Sequence, residues 1–468
     1  MLEKVIEHNE VLDSLIIRAT LSDYLTSGDV SIEIPNDAYD TSITSVKVIK
    51  QEHIIDLLEA VDALKTVSKN SSYSELLDPG KLSVNTIKSA ESLKGNPISN
   101  SLLLRSLLTE KLVESNIVIP NIAKEKEVLT VEETHNLINS LEKILGNSTL
   151  NNLDFDGLTL KAINTNKSII TESIIVRNII SEKLISQGDV LVIPSYSYDY
   201  VNEDIKIIKK QEIVSLISCL SIIVNENSSL DRIPTFTNVN VDTIKNNIDT
   251  VSKSLIVRAT ISEEMIDTNT LLIIPQRDVE SAIKDHYVLT EESFVDLFNV
   301  LSIMDINDMN NISLDEIVVK STYSSIISES SIIRAIITNN MKVNDKSIYS
   351  LETDVEVLYD INGEKIIVIK QEEIKNLIDS ISLLSSDGKL EVSIDINTLK
   401  KNFNSLNFIL NSNVVRIAIS EVVIDYAGTA VNPSRQSAYK IPDASAPLLK
   451  KILTKEDIIV YIRFLTSF

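Results

Sequence analysis

An arginine recurs six times in one short pattern, a serine followed by three residues and then the arginine. Its guanidinium group presents a planar fork of donors that suits carboxylates, phosphates and the carbonyls at a helix end. Only one such arginine occurs in about 80 residues, so the set does not form the basic cluster that a polyanion requires. We predict structural arginines that bind helix ends or the first-turn acid of a later helix, with ligand contact as the alternative. They are Arg18, Arg105, Arg177, Arg258, Arg334 and Arg416.

Four residues after most of these arginines comes a serine or threonine followed by an acid, as in Ser22 and Asp23. We interpret this pair as the solvated face of a helix. In the fifth occurrence Asn339 replaces the acid, and a catalytic carboxylate would not tolerate that replacement.

Tyrosines concentrate in the variable stretches between apolar segments. In SYSYDYVNED, alternate tyrosines of an extended chain would lie on one side among Ser, Asp and Asn, a composition that resembles antibody-type recognition surfaces. The alternative is that the tyrosines pack onto their own unit. The candidate binding residues are Tyr39, Tyr196, Tyr198, Tyr200, Tyr349 and Tyr359.

Other residues suited to catalysis or metal binding do not fall into recognised patterns. Four histidines and the single Cys219 give no zinc-ligand spacing. The nine glycines form no phosphate loop and no G-x-S-x-G elbow, and Met309 interrupts the nearest calcium-loop candidate. We expect no catalytic residue, no metal and no cofactor, although two of the 67 acids could still form a pair for glycoside hydrolysis.

The charge balance opposes two classes of partner. The chain has 44 Lys and Arg against 67 Asp and Glu, a net charge of −23, which repels nucleic acid and anionic lipid. No apolar run reaches the roughly 18 residues of a membrane span. The N-terminal MLEKVIEHNEVL carries acids where a signal peptide needs a basic start. We expect no nucleic acid partner and no membrane insertion.

The elements that would position these residues belong to an internal repeat of about 80 residues. The arginines are separated by 87, 72, 81, 76 and 82 residues, and a second, apolar column steps by 80, 79, 81, 80 and 84. An acid or glutamine lies five residues before each member of that column, which suits the first turn of a helix. The column is Leu57, Leu137, Leu216, Leu297, Leu377 and Tyr461.

Each unit is predicted to contain three helices and two or three short strands. Helix A carries the arginine, and a short strand ending in Ile-Pro follows it. A second strand such as VKVIK leads into helix B, and helix C starts after a cap such as Asp242. The predicted fold class is therefore a helix-rich α+β tandem repeat of six units.

A finer alternation predicts that the units pair. Seven residues before the apolar column, odd units carry a lysine such as Lys50, and even units carry a threonine such as Thr130. Thr130 and Glu133 have capping-box spacing. We expect three repeat domains in an elongated molecule, at residues 1–149 (units 1 and 2), 150–309 (units 3 and 4) and 310–468 (units 5 and 6).

The tandem units and the acidic, Ile-, Asn-, Lys- and Ser-rich composition resemble bacterial or phage repeat proteins in general. We expect a non-enzymatic structural or interaction protein, a stalk or adhesive segment of a larger bacterial surface protein that binds a protein or cell-surface ligand. The alternatives are a hydrolytic enzyme with a site at a unit junction and a structural component of a phage or secretion apparatus. An extracellular or cell-surface location is favoured if the chain is part of a larger protein, and a cytoplasmic one otherwise.

Overall fold

The protein is helix-rich with a few short antiparallel strands, which confirms the α+β class. Contacts divide the chain into two compact units, one of residues 1–193 and 197–234 and the other of residues 194–196 and 235–468. The division into three domains stays a prediction. The computed structural model describes residues 9–27, 32–69, 72–120, 128–186, 190–200, 205–233, 236, 239–267, 272–304, 306, 321–343, 352–385, 394–428, 439–441 and 450–467.

The first compact unit consists of long helices joined by short ones around an aliphatic core that includes Leu57, Leu103 and Ile180. Its two strands, β1 (Tyr198–Tyr200) and β2 (Lys206–Ile208), pair antiparallel with Tyr198 opposite Ile208. Its helices are α1 (Leu15–Ser27), α2 (Gln51–Ser68), α3 (Tyr73–Leu76), α4 (Val84–Glu91), α5 (Pro97–Asn100), α6 (Leu102–Glu114), α7 (Val131–Leu145), α8 (Leu160–Asn164), α9 (Lys167–Ile170), α10 (Ile174–Ile185) and α11 (Lys210–Ile223).

The second compact unit has a similar mixture of elements, and its core contains the tilted ring pair Phe294 and Phe298, with centroids 4.6 Å apart. Its strands β3 (Val355–Tyr359) and β4 (Lys365–Ile369) form one hairpin, and β5 (Tyr439–Ile441) and β6 (Lys450–Ile452) form another. Its helices are α12 (Val241–Asn246), α13 (Ile248–Val251), α14 (Leu255–Asp267), α15 (Glu291–Ile303), α16 (Ser324–Glu329), α17 (Ser331–Val343), α18 (Gln371–Leu384), α19 (Ile396–Lys401), α20 (Leu406–Ile409), α21 (Asn413–Ala427) and α22 (Lys455–Thr466).

Side-chain caps explain where five of the helices that carry the recurring arginines and three of the other long helices begin, whereas α2, α11 and α18 begin after a lysine that makes no side-chain cap bond. The recurring arginines lie in α1, α6, α10, α14, α17 and α21, which we call the arginine helices. In all of these except α1, the serine four residues before the arginine accepts a hydrogen bond from a backbone N–H of the first turn. The predicted threonine caps are also confirmed, since Thr130, Thr290 and Thr454 accept the equivalent bonds in α7, α15 and α22.

Helix C differs from the prediction because two short helices take its place. The predicted cap Asp242 is wrong: Asn240 begins α12 by accepting from two backbone N–H groups, and the chain then leaves helical geometry at Asn247 (φ −126°, ψ 23°) before α13. The same division separates α8 from α9 and α19 from α20. A cap of the predicted kind is present at α19, where Asp395 accepts a hydrogen bond from the N–H of Thr398.

The Ile-Pro segments are not strands of a sheet where the structure describes them, at residues 32–35, 117–120, 190–194 and 272–275. Pro35 has extended geometry (φ −58°, ψ 145°), but proline has no N–H to donate to a ladder. Pro275 makes an isolated bridge with Asp360. Pro442 lies outside the described residues.

Candidate functional site

The recurring arginines bind the backbone immediately before the helix that corresponds to the predicted helix B. We call these helices, α2, α7, α11, α15, α18 and α22, the long helices. The Nη1 atom of Arg334 donates to the carbonyl oxygen of Ile369 at 2.7 Å, just before α18 begins. Four other arginine helices repeat this bond at the corresponding position. The pairs are Arg18 with Ile49 (3.2 Å), Arg105 with Leu129, Arg177 with Ile208 (3.1 Å) and Arg258 with Leu289.

A carboxylate completes four of these sites, and it always lies 22 residues after the arginine. It belongs to the segment between the arginine helix and the next long helix, so the predicted first-turn acid is not the partner that these guanidinium groups contact. The constant separation of 22 residues from the arginine is the sequence pattern that could have predicted this acid. The Nη1–carboxylate pairs are Arg18–Asp40 (3.4 Å), Arg177–Asp199 (2.9 Å), Arg258–Glu280 (3.0 Å) and Arg334–Glu356 (2.8 Å).

The hydroxyl four residues after each arginine accepts a hydrogen bond from a backbone N–H just before the same long helix. Ser262 Oγ donates to the carbonyl of Arg258 at 2.6 Å and accepts from the N–H of Leu289 at 3.0 Å. The corresponding hydroxyls of Ser22, Thr109, Ser181, Thr338 and Ser420 make the same two bonds. All six hydroxyl residues are buried, so the prediction of a solvated helix face is wrong for them.

We call this arrangement the arginine clamp: an arginine and a hydroxyl one helical turn later hold the C=O and N–H of one buried residue before a long helix. Such spacing puts both side chains on one face of the arginine helix. The clamp also lowers stability in one respect, because the Nε atoms of Arg18, Arg258 and Arg334 are buried without a hydrogen bond. The hydrogen bonds of the clamp fix the position of the backbone before the long helix.

The sixth clamp departs from the others. Arg416 donates from Nη2 to Asn413 Oδ1 at 2.8 Å, within its own helix α21. Position 438, which is 22 residues further on, is an alanine. Ser420 keeps its bond to the N–H of Leu453, at 3.0 Å, so the hydroxyl half of the clamp persists.

Two glutamates, the half-buried Glu133 and the buried Glu373, connect a long helix to the arginine helix that follows it. Glu133 of α7 accepts a hydrogen bond from Ser173 Oγ at 2.6 Å, and Glu373 of α18 accepts one from Ser412 Oγ at 2.6 Å. Both also accept from backbone N–H groups in the first turn of the following helix. Burial raises the pKa of both carboxyls, while the hydrogen bonds they accept act in the opposite direction.

The most enzyme-like cluster consists of Glu91, Ser99 and His135. The fully buried Glu91 accepts from the N–H groups of Ile98 and Ser99, each at 3.0 Å, and from Ser99 Oγ at 2.5 Å. Its Oε1 also lies 2.9 Å from His135 Nδ1. A nucleophilic triad needs the histidine between the serine and the acid, whereas here both bind the acid. Glu91 therefore serves as the cap of α5.

The structure places the candidate tyrosines in different environments. Tyr196 and Tyr359 are exposed, whereas Tyr39 and Tyr198 are half-buried beside Lys47 and Lys206, whose Nζ atoms lie 5.1 Å and 5.9 Å from the ring centroids. Tyr200 pairs with Lys206 in the strand register. The side chain of Tyr200 and the whole of Tyr349 lie outside the described residues.

None of the helices described above combines the length and apolar character needed to cross a membrane. Within the described ranges, no group of three or more His, Cys, Asp or Glu side chains is placed to hold a metal ion. Comparisons with protein-family models, with curated proteins and with solved structures find no match to this chain.

Proposed function

We propose that the chain is a non-enzymatic, tandem-repeat structural and interaction protein, a stalk or adhesive segment of a larger bacterial surface protein. The observation that carries this proposal is the recurrence of the arginine clamp. In five positions the arginine donates to the carbonyl oxygen of a residue just before a long helix, and in all six positions the hydroxyl accepts from the N–H of the residue there. Recurrent polar residues are thus used to hold the fold rather than presented to a ligand.

Hydrogen bonds between sequence neighbours support an arrangement of stacked repeats. In the first compact unit, Val84 N donates to Ser148 O at 2.8 Å, and Leu160 N donates to Ser228 O at 3.0 Å. Each bond joins the start of one pair of short helices to the segment that precedes the next pair. Repeats that contact chiefly their sequence neighbours form extended arrays, so we propose an elongated molecule.

The tyrosine-bearing hairpins are the proposed contact surface. Asp199 in β1 and Glu356 in β3 face the arginines, so Tyr198, one position from Asp199, and Tyr359, three positions from Glu356, belong to the other side of their strands. The exposed Tyr196 lies just before β1. Exposed tyrosine gives a large contact area with little side-chain entropy to lose. The proposed partner is a protein or a cell-surface ligand.

Small-angle X-ray scattering of the full chain tests the array. A compact chain of this length would have a radius of gyration of about 23 Å, and we expect a clearly larger value. A value near the compact one would contradict the elongated arrangement.

Adhesion can be tested with beads that carry the purified chain, incubated with cultured animal cells. We expect retention of the beads, and a large loss of retention for the double variant Tyr196→Ala, Tyr359→Ala. The control is Tyr426→Ala, which removes another exposed tyrosine from α21. Equal retention of all three proteins would exclude the tyrosine hairpins as the contact surface, and substrate turnover by the chain would contradict the non-enzymatic proposal.

A further inference from the structure

A side-chain contact recurs between the start of an arginine helix and the start of the long helix that follows it. It joins the residue just before the serine of the arginine pattern to the first residue of the long helix. We call this contact the start pair, and the structure shows it beside four of the arginine helices. The pairs are Asp13 with Gln51 (2.9 Å), Glu172 with Lys210, Lys253 with Glu291 and Asn411 with Lys455 (2.8 Å).

Two of the start pairs are ion pairs of opposite polarity. Glu172 lies just before the cap of α10, and its partner Lys210 begins α11. In the other pair Lys253 lies just before the cap of α14, and its partner Glu291 begins α15. The separation is 38 residues in both pairs, so the positions correspond and only the charges are exchanged.

The stability of the individual helices does not account for these charges. The N-terminus of a helix carries a partial positive charge, which favours an acid and disfavours a lysine. Lys210 nevertheless occupies the first position of α11, and Lys253 lies just before the capping serine of α14. The four side chains are 45% to 61% exposed, and an ion pair at such positions adds little to the free energy of unfolding. The polarity of the two pairs therefore requires another explanation.

The arginine clamp itself does not distinguish one long helix from another. Its arginine and hydroxyl bind the C=O and N–H of a single residue, which is Ile208 before α11 and Leu289 before α15. Every residue other than proline offers these two backbone groups, and both side chains are buried and aliphatic. The carboxylates that complete the two clamps, Asp199 and Glu280, also carry the same charge. A contact outside the clamp must therefore determine which long helix is bound.

We propose that the start pairs determine specificity: they select the long helix of the same clamp over the long helix of another clamp, in the same copy or in a second copy of the chain. The charges oppose both exchanges between the two clamps. If α10 bound α15, Glu172 would face Glu291. If α14 bound α11, Lys253 would face Lys210. Contacts between like charges disfavour the wrong partner, and the native contacts between opposite charges favour the correct one.

Refolding of the full chain followed by cross-linking tests the proposal. A carbodiimide condenses a lysine amine with a carboxylate that it contacts, and mass spectrometry of the digested protein identifies the two residues that are joined. After dilution from urea, the wild type should give the two native cross-links, Glu172 with Lys210 and Lys253 with Glu291.

The double variant Glu172→Lys, Lys210→Glu keeps an ion pair but gives both clamps the same polarity. Because the positions are exposed and the pair is retained, the thermal unfolding of its native form should match the wild type. After refolding we expect several-fold more cross-links between the two clamps than in the wild type. These cross-links should join Lys253 to the glutamate introduced at position 210, and Glu291 to the lysine introduced at position 172.

A quadruple variant provides the rescue. Adding Lys253→Glu and Glu291→Lys to the double variant makes the polarities of the two clamps opposite again, so refolding should restore cross-links within each clamp only. The matched control is Lys111→Glu, Glu114→Lys, which reverses an ion pair within α6 (2.8 Å) and should leave the cross-links of both start pairs unchanged.

Three results would overturn the proposal. A refolded double variant with cross-links only within each clamp would show that these charges do not select the long helix. Cross-links between the clamps that persist in the quadruple variant would attribute the exchange to the substituted positions rather than to their polarity, and failure of the quadruple variant to refold would do the same. The inference rests on the recurring clamps of the proposed function but not on its adhesive surface or its elongation, so the bead and scattering experiments can fail independently.

Discussion

The arginine clamps of the two compact units use the same spacing but differ in depth. In the first unit Arg18 and Arg177 bind aspartates, and the side chain of Arg18 is 13% exposed. In the second unit Arg258 and Arg334 bind glutamates, and the side chain of Arg334 is 6% exposed. The additional methylene of glutamate allows the carboxylate to reach a more deeply buried guanidinium. The spacing of 22 residues therefore determines which carboxylate binds the arginine. The longer carboxylate side chain, glutamate, occurs where the arginine is more deeply buried.

Glu356 extends this difference because it binds two arginines. Its Oε1 lies 2.8 Å from Arg334 Nη1, and both of its oxygens accept from Arg277, at 3.1 Å and 3.2 Å. Burial opposes ionisation of this carboxyl, but the two arginines outweigh it and lower the pKa of Glu356. The deepest clamp is thus also the one with the most charge-assisted bonds.

The largest effect is expected for removal of the deepest arginine. Arg334→Ala leaves Glu356 and the carbonyl of Ile369 without their buried donor, and it should lower the free energy of unfolding by about 3 kcal/mol. Arg18→Ala, at a longer and more exposed pair, should cost about 1 kcal/mol. Urea unfolding monitored by circular dichroism measures both. The control is Arg277→Ala, which removes the exposed partner of Glu356 and should cost less than 1 kcal/mol; equal losses for Arg334 and Arg18 would remove the distinction in depth.

The hydroxyl half of the clamp is expected to contribute less. Thr338→Val preserves the shape of the side chain but leaves the buried N–H of Ile369 unpaired, so it should cost about 1–2 kcal/mol in the same unfolding measurement. Thr338→Ser is the matched control, because serine fills this position in four other clamps, and it should remain close to wild type. A valine variant as stable as the serine variant would show that the hydroxyl hydrogen bond makes no net contribution to the free energy of unfolding.

The pH dependence of stability should separate Glu373 from Glu356. Because burial raises the pKa of Glu373, folding takes up a proton between its ordinary pKa of about 4.3 and the raised value, and stability falls as pH rises through that interval. Glu373→Gln cannot titrate, so its stability relative to wild type should improve as pH rises through the interval. Urea unfolding at a series of pH values measures the trend.

The opposite trend is expected for Glu356, whose pKa is lowered. Its contribution is fully present above the ordinary glutamate pKa and is lost as pH falls through the lowered value. The stability deficit of Glu356→Gln should therefore shrink on acidification. Parallel pH profiles for the wild type and both variants would contradict the assigned directions.

The smallest effect is expected for the tyrosines. Tyr196→Ala and Tyr359→Ala remove exposed rings and should change the free energy of unfolding by less than about 0.5 kcal/mol. Differential scanning calorimetry provides the comparison with wild type, and Phe294→Ala, which removes a fully buried ring, is the positive control. A marked loss of stability for either tyrosine would assign it to the core and leave the adhesive proposal without its surface.

The sequence allowed prediction of features that depend on one or two helical turns. The threonine cap of Thr130 and the helical setting of the arginines follow from local spacing, and both are present. The partners of the arginines were missed, although Asp40 and its counterparts keep a constant distance in sequence. Ser22 was misinterpreted because a hydroxyl next to an acid resembles a solvated face, and only the returning chain at Ile49 supplies the partner that makes it a buried residue.

The clamp also separates loop length from helix placement. The separation between the arginine and the residue whose carbonyl it binds is 24 residues at Arg105, 31 at Arg18 and 35 at Arg334. The arginine nevertheless makes the same hydrogen bond to the backbone in all three cases. Closing a longer loop costs little additional entropy, and four clamps keep the carboxylate 22 residues after the arginine, so the part of the segment that follows the carboxylate is the part free to grow or shrink. Insertions there leave the register of the following helix intact, which makes these loops natural acceptor sites for grafted peptides.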